Sequence, residues 1–210
     1  MARRETPNAL MDERLTPEDA RRFRLLEALF HHRWAAPVLA EMSRLTDTVG
    51  GGRTALLLSA LGAPRESLRK TLAALIESLE WIRPNPGYGH PLRPEYVLTN
   101  EGMTLGAWCG LLVAVVESLG VHELAFRKWT MPVLDAIDRN EGAARFNEIK
   151  YLLPTVTPRA LAQSLKDLDA AGLVERAVED EYPPTTWYRL TAEGRRLARV
   201  LRSFPDLPEP

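Results

Sequence analysis

The amino-acid sequence predicts a mainly α-helical fold with small β-hairpins, an α+β arrangement divided between two tandem domains. One observation is an internal repeat, in which three blocks of sequence recur in the same order in the second half of the chain. The other is the pattern inside each copy, where helical apolar stripes are followed by two short alternating segments around a turn. Together these features indicate one small unit that is used twice.

The repeat consists of three collinear blocks. HRWAAPVL at residues 32–39 recurs as RKWTMPVL at 127–134, and EYVLTNEG at 95–102 recurs as WYRLTAEG at 187–194. Between these blocks the leucine stripe of a helix also recurs, at Leu68, Leu72 and Leu75 and again at Leu161, Leu165 and Leu168. Because chance explains one such block but not three in the same order, we interpret the chain as the duplication of a whole domain.

The domain boundaries follow from the repeat. Residues 1–15 are expected to form a flexible N-terminus, 16–120 the first domain and 121–210 the second. Thr16 suits the cap of an N-terminal helix. The uncharged apolar stretch 103–116 is too short for a membrane span, and we expect it to be the last helix of the first domain. There it would be buried between the two copies, with the N-terminal helix packed beside it.

The second copy carries three helices in succession. Residues 127–139 carry the apolar stripe of a first helix and residues 146–153 that of a second, with Gly142 as the break between them. Thr157 is a favourable N-cap, and Pro158 suits the first position of the third helix.

A hairpin and a last helix complete the unit. Gly172 suits the end of the third helix. Residues 173–178 and 187–191 are predicted strands around a Pro-rich turn, and Thr191 caps the last helix. Two helices joined by a short turn and followed by a hairpin form a helix-turn-helix with a wing, the wing being the hairpin.

These motifs resemble the HxlR-type winged-helix regulators, relatives of the MarR group. RFNE, TPRAL, GLVER and WYRLTAEG stand in the expected order over nearly the whole second copy. The first copy resembles the family more loosely, through RW, SLRKTLAALIE and YVLTNEG. The resemblance implies a DNA-binding transcriptional regulator, whose relatives dimerise through helices that flank the winged core. With both units in one chain, it implies two tandem winged-helix domains that form an intramolecular pseudo-dimer.

The resemblance also implies that the third helix of each copy enters the major groove of DNA. In the second copy the exposed candidates are Thr157, Arg159, Gln163, Ser164 and Lys166. In the first copy they are Arg65, Ser67, Arg69, Lys70 and Thr71, with Arg93 from the wing. The side chain of Arg159 can read guanine and that of Gln163 adenine. Without the resemblance, the same residues would simply be the solvated face of an amphipathic helix.

The two wings differ in charge. Arg93 lies in a Gly/Pro-rich turn that can follow a phosphate backbone. The second wing carries acidic residues that repel phosphate unless Arg176 and Arg189 offset them: Glu179, Asp180 and Glu181. Arg53 and Arg145 occupy matching positions in the two copies, where they serve either a shared phosphate contact or a structural ion pair.

Composition limits the remaining classes of function. The net charge of -1 and the pI of about 6.5 give no global electrostatic attraction for nucleic acid, so DNA contact has to come from local basic clusters. The single cysteine, Cys109, excludes an intramolecular disulfide, fits a reducing cytoplasm and is expected to be an inert core thiol. The four histidines make no metal-ligand pattern, and no catalytic or phosphate-loop motif is present. We therefore expect no enzyme activity, no metal and no cofactor.

The sequence as a whole predicts a cytoplasmic transcriptional regulator that binds double-stranded DNA, as a monomeric pseudo-dimer or a homodimer, and does not bind membranes. One alternative is a protein-interaction module, in which one or both copies have lost DNA binding. Another is a ligand-gated regulator, with a small-molecule effector held between the copies near Trp34, Trp108 and Trp129. The neutral pI and the acidic second wing are the observations that keep the first alternative open.

Overall fold

The computed structural model describes residues 16–49, 51–86, 94–179 and 185–208, so the predicted flexible segment 1–15 lies outside the described residues. The structure is helix-dominated and contains two small antiparallel sheets. In the N-terminal half, taken as residues 16–120, the elements are α1 (Pro17–His31), α2 (Ala35–Val49), β1 (Gly52–Arg53), α3 (Thr54–Leu61), α4 (Arg65–Glu77), β2 (Ile82–Pro84), β3 (Glu95–Leu98) and α5 (Asn100–Leu119). In the C-terminal half, residues 121–208, they are α6 (His122–Ala125), α7 (Thr130–Arg139), β4 (Ala143–Arg145), α8 (Phe146–Leu152), α9 (Pro158–Ala170), β5 (Val174–Glu179), β6 (Thr185–Leu190) and α10 (Ala192–Arg202).

Each half contains a three-stranded antiparallel sheet in which the last strand lies in the middle. The strand order is β1-β3-β2 in the N-terminal half and β4-β6-β5 in the C-terminal half. Gly52 lies opposite Tyr96 in the first sheet, and Ala144 lies opposite Tyr188 in the second. The hairpins were predicted. The outer strands β1 and β4 were not, because segments of two or three residues are too short to show an alternating pattern.

The helix starts predicted at three threonines are confirmed. The Thr16 hydroxyl accepts a hydrogen bond from the backbone N–H of Asp19, whose carboxylate accepts one from the Thr16 N–H in return. The Thr157 and Thr191 hydroxyls each accept from the N–H three residues on, at 3.2 Å and 3.1 Å. Gly172 follows α9 with a φ of 68°, a backbone conformation that glycine adopts without strain.

The junction between the hairpin and the last helix is the same in both halves and depends on a close approach. Gly194 lies so near the Leu173 carbonyl that a Cβ would overlap its oxygen, and Gly102 stands in the same relation to the Trp81 carbonyl. The Thr191 N–H donates to that Leu173 oxygen at 3.2 Å. Only glycine therefore lets the last helix lie against the start of the wing.

Helix α1 links the two halves. It packs on α2 in the N-terminal half and on α7 in the C-terminal half. Phe23, Leu26 and Leu29 are buried on it, as the sequence predicted. Its main contacts are with α2 and α7, whereas we had expected it to pack beside the apolar helix at 103–116. The packing of α1 on α7 is electrostatic as well as apolar, since a buried carboxylate on α7 faces α1.

Asp135 is that carboxylate, with a side chain only 2% exposed. Arg22 of α1 binds it in a bidentate manner, with Nη2–Oδ1 at 2.8 Å and Nε–Oδ2 at 3.2 Å, and Arg139 Nε adds a third contact at 3.2 Å. Burial raises the pKa of the Asp135 carboxyl, and the hydrogen bonds and charge of Arg22 oppose that rise. Because removing one partner of a buried ion pair costs about 3–5 kcal/mol, this contact ties α1 to α7.

Helix α5 carries the predicted apolar stretch and packs on α2 in its own half and on α10 in the other. Its Trp108 Nε1 donates to the Val200 carbonyl at 3.0 Å, and the indole meets the edge of Phe204. Burial of α5 is incomplete, because Leu111, one turn along the helix from Trp108, is 61% exposed. Among the described residues, α5 is also the one helix long and apolar enough to cross a membrane, a property that core helices of globular proteins share.

We expect Gly194→Ala to lower the free energy of unfolding by about 1–3 kcal/mol, because the added methyl group must displace the Leu173 carbonyl. Urea denaturation followed by circular dichroism measures the effect. Gly110→Ala is the matched control: Gly110 lies inside α5, and a Cβ there meets no atom within 4 Å. That change should raise stability by about 0.5–1 kcal/mol through helix propensity. Similar changes in both variants would contradict the proposed close approach.

Candidate nucleic-acid interface

The helix-turn-helix of the C-terminal half consists of α8 and α9. The leucine stripe of α9 is buried, and the helix packs on α7 and β5. Its opposite face carries Arg159, Gln163 and Lys166, and all three side chains are exposed. The Thr157 hydroxyl is occupied by its capping hydrogen bond. The N-terminal turns of α9 therefore present polar side chains to solvent from a helix held firmly by its other face.

The polar groups on α9 differ in how they are engaged. Asp167 accepts a hydrogen bond from Gln163 Nε2 at 2.8 Å and forms an ion pair with Arg127 Nη1 at 2.8 Å. Arg159 and Lys166 form no hydrogen bond or ion pair with any residue that the structure describes. Since a guanidinium carries five N–H donors, Arg159 keeps its full donor set for a ligand. Arg159 and Lys166 are the two cations of α9, and neither is engaged by another described residue.

The corresponding helix of the N-terminal half, α4, is partly neutralised. Arg69 binds Glu66 through two hydrogen bonds of 2.9 Å and 2.8 Å, and Lys70 Nζ lies 3.9 Å from the same carboxylate. The hydrogen bond from Arg69 lowers the pKa of the Glu66 carboxyl. Arg65 is exposed without such a partner among the described residues, and Ser67 is half-buried. Exposed pairs of this kind are weak, so a phosphate can replace Glu66, at the cost of some affinity.

Two of the predicted interface residues are not at the surface, so the prediction that they are exposed is wrong. Thr71 is 2% exposed and its hydroxyl donates to the Ser67 carbonyl, while Ser164 is 8% exposed. The two occupy equivalent positions, three residues after the first leucine of the buried stripe in each helix. That spacing places them on the core face of the helix. The same spacing in the sequence could have revealed it.

The C-terminal wing is less acidic in effect than its sequence indicates. Glu179 Oε1 pairs with Arg189 at 2.7 Å, and its other oxygen accepts from Trp187 Nε1 at 3.0 Å. The negative charge of Glu179 is therefore largely compensated within the hairpin. Arg93 in the other wing, like Asp180 and Glu181 in this one, lies outside the described residues.

Arg53 and Arg145 both reach across to the central strand of their sheet. Arg53 Nε lies 3.0 Å from the Glu95 carboxylate, and this hydrogen bond lowers the pKa of Glu95. Arg145 instead lies over the Trp187 ring, 4.6 Å from its centroid. Of the two roles considered for these arginines, Arg53 therefore forms the structural ion pair. At Arg145 an aromatic ring takes the place of the carboxylate.

The three tryptophans considered as an effector site serve the core. Trp108 is buried between the halves. Trp34 and Trp129 are half-buried against the core, with Arg33 at 5.9 Å and Lys128 at 4.9 Å from their respective ring centroids. A neighbouring cation therefore contacts each of these two rings.

Cys109 is fully buried, as predicted, and burial raises the pKa of its thiol. A thiol of this kind is mostly protonated at neutral pH and reacts slowly. Over the ranges of the chain that the structure describes, no group of three or more His, Cys, Asp or Glu side chains is arranged to hold a metal ion.

Comparison with known proteins relates the C-terminal half of the chain to a family. Residues 124–209 match the HxlR-like helix-turn-helix family. An uncharacterized HTH-type transcriptional regulator of Methanothermobacter thermautotrophicus is 36% identical over 93 residues, which cover 44% of this chain and 64% of that protein. Another, of Halalkalibacterium halodurans, is 34% identical over 77 residues, 37% of this chain and 67% of that protein.

A solved structure is also similar. The reduced form of the transcriptional regulator YodB from B. subtilis is 29% identical, with a TM-score of 0.37, over 41% of this chain and 82% of that chain. Among the curated relatives with the strongest matches, the chain spans between about half and two thirds of their length.

We expect a Gln163→Cys variant to react with a maleimide dye at least about tenfold faster than a Ser164→Cys variant, because thiol reactivity follows exposure. The wild-type chain supplies the background rate, since its Cys109 is buried. In urea the two engineered thiols should react at the same rate, which shows that their intrinsic reactivity is equal. Equal rates in the folded protein would contradict the orientation of α9.

Proposed function

The chain belongs, through residues 124–209, to the HxlR-like helix-turn-helix family, and from this premise we propose that it is a transcriptional regulator that binds duplex DNA through α9. The observation that carries the proposal is the exposed N-terminal surface of α9, on which Arg159 has no competing partner among the described residues. A regulator of this kind acts in the cytoplasm, where the DNA lies.

The chemistry of α9 matches base readout in the major groove. The Arg159 guanidinium can donate two parallel hydrogen bonds to O6 and N7 of guanine. Gln163 can pair with adenine once its exposed hydrogen bond to Asp167 is given up. Lys166 lies farther along the helix and suits a phosphate contact, which adds affinity without sequence information.

We also propose that the chain arose by tandem duplication and that its N-terminal half supplies a second DNA-contacting unit through Arg65, Arg69 and Lys70. Support comes from the identical strand order of the two sheets and from the same glycine-dependent junction in each half. The packing of α5 on α10 supports an intramolecular pseudo-dimer. The two helices would then meet half-sites roughly 34–36 Å apart, one turn of DNA.

The two units contribute unequally in this proposal. Glu66 competes for two cations of α4, whereas on α9 Asp167 engages Gln163 and Arg127, and Arg159 has no partner among the described residues. We therefore assign the larger share of base readout to the C-terminal half. Because the two helices differ in sequence, the DNA site should be asymmetric. The acidic second wing, which favoured a protein-interaction module, loses weight as an argument because Glu179 is paired with Arg189.

The test is an electrophoretic mobility shift with the DNA upstream of the chain's own gene, across a salt series. We expect Arg159→Ala to weaken specific binding about tenfold or more, since one bidentate base contact contributes about 1–3 kcal/mol. Lys166→Ala should weaken binding to all sequences and reduce the slope of log affinity against log salt by about 1.

Arg199→Ala is the control, because Arg199 is also an exposed arginine and lies on α10, outside the helix-turn-helix. It should bind as the wild type does. Loss of binding in Arg199→Ala but not in Arg159→Ala, or no binding by the wild type even at low salt, would contradict the assignment of α9.

The pseudo-dimer is tested by size-exclusion chromatography with light scattering. We expect a mass near the 23.6 kDa of one chain, and footprinting should reveal one asymmetric protected site. A stable dimer at low micromolar concentration would instead mean that two chains are needed and that the intramolecular arrangement alone does not make the binding unit.

A further inference from the structure

A cavity of about 710 Å³ opens between α1 and the C-terminal half. Helix α1 contributes Asp19 and Phe23 to its walls, the turn after α7 contributes Glu141, α8 contributes Glu148 and β6 contributes Trp187. The volume falls in the range of small-molecule sites, about 300–1,000 Å³. None of the residues proposed above for DNA contact lines it, so the cavity is a separate feature of the molecule.

The lining is acidic. Three carboxylates, those of Asp19, Glu141 and Glu148, face one guanidinium, that of Arg139. Arg139 is already engaged, because it pairs with Asp19 and with Asp135. Among the described residues that line the cavity, none therefore offers a free cation to an anionic ligand.

Two of the carboxylates have acceptor capacity to spare. Glu141 forms no hydrogen bond or ion pair with any described residue. Glu148 accepts one hydrogen bond through Oε2, from the Arg145 backbone N–H at 2.7 Å, and no described donor engages its Oε1. A positively charged ligand could therefore pair with these two carboxylates without breaking an existing ion pair among the described residues.

Two aromatic side chains line the cavity, and each also contacts a guanidinium of the protein itself. The Trp187 ring carries the Arg145 guanidinium 4.6 Å from its centroid, and the Phe23 ring carries that of Arg139 at 5.6 Å. Aromatic faces attract cations through their quadrupole, most strongly where water is excluded. Leu152 adds an apolar side to the same cavity. The walls thus combine apolar surface with acidic groups.

We propose that this cavity is a binding site for a small organic cation with an apolar, aromatic-sized body. The charge would be met by Glu141 and Glu148, and the body by Trp187 and Leu152. An anion of the same shape would be excluded by the three carboxylates.

The site is placed to act on the helix-turn-helix. Its walls belong to α8, which precedes α9 in the helix-turn-helix, to β6 in the wing, and to α1, which bridges the halves. A ligand that fills the cavity would change how these three elements pack and hence the position of α9. This regulatory consequence rests on the proposed DNA-binding function, whereas binding of the cation does not.

The probe is tetraphenylphosphonium, and tetraphenylborate is the matched anion of nearly the same size and shape. Isothermal titration calorimetry of the full chain, without DNA, should detect the cation and not the anion. Glu141→Gln and Glu148→Gln should each weaken binding about five- to tenfold. Glutamine can still accept the hydrogen bond from Arg145, so the start of α8 is retained in the second variant.

Trp187→Phe should weaken binding and remove most of the tryptophan fluorescence quenching by the cation. Glu175→Gln, on the exposed side of the same hairpin, is the control and should bind as the wild type does. Thermal unfolding of each variant separates a lost site from a lost fold. The proposal is overturned if tetraphenylborate binds as well as the cation, if the cation does not bind, or if folded Glu141→Gln and Glu148→Gln bind it unchanged.

A second measurement separates this proposal from the proposed function. The mobility shift is repeated with saturating tetraphenylphosphonium, and we expect a change in DNA affinity that Glu141→Gln reduces. If the wild type binds the cation but no DNA, the proposed function fails and the site stands. If it binds both without mutual influence, the regulatory consequence is wrong and the binding site remains.

Discussion

The buried carboxylate of Asp135 is the constraint on which the arrangement of the two halves depends. A carboxylate that is 2% exposed has to be paired, and the partner that pairs with it through two hydrogen bonds is Arg22 on a helix from the other half. The ion pair fixes α1 against α7, while apolar packing fixes the same helix against α2. The cavity between α1 and the C-terminal half exists because α1 is held there.

Within each half, a backbone contact sets the geometry. The last helix can lie against the wing only because Gly102 and Gly194 leave room for a carbonyl oxygen. Each last helix then carries one side of the interface between the halves, where Trp108 of α5 reaches the Val200 carbonyl of α10. The position of each wing is thus linked to the interface between the halves through one helix. A shift of that helix at the interface would therefore also move the wing.

The two halves share this framework and differ in surface chemistry. On α4 Glu66 engages Arg69, whereas on α9 Arg159 has no partner among the described residues. The matching arginines Arg53 and Arg145 face a carboxylate in one half and an indole in the other. Core positions tolerate little change because they are packed, while exposed positions are free to diverge. The same fold can therefore carry two surfaces that differ in charge and in the pairing of their side chains.

The sequence by itself predicted α1 and, in the C-terminal half, the helix-turn-helix, the hairpin and the last helix, because apolar periodicity, Thr caps and Pro or Gly at helix ends act over a few residues. It also identified Arg159 and Gln163 as exposed on α9. The prediction that Thr71 and Ser164 are exposed was wrong, although their spacing from the buried leucines indicates the core face of the helix. Only the tertiary structure decided the outer strands β1 and β4, the position of α1 and the cavity with Glu141 and Trp187. These depend on contacts between residues far apart in the chain, and no local pattern encodes which distant side chain will meet a buried charge.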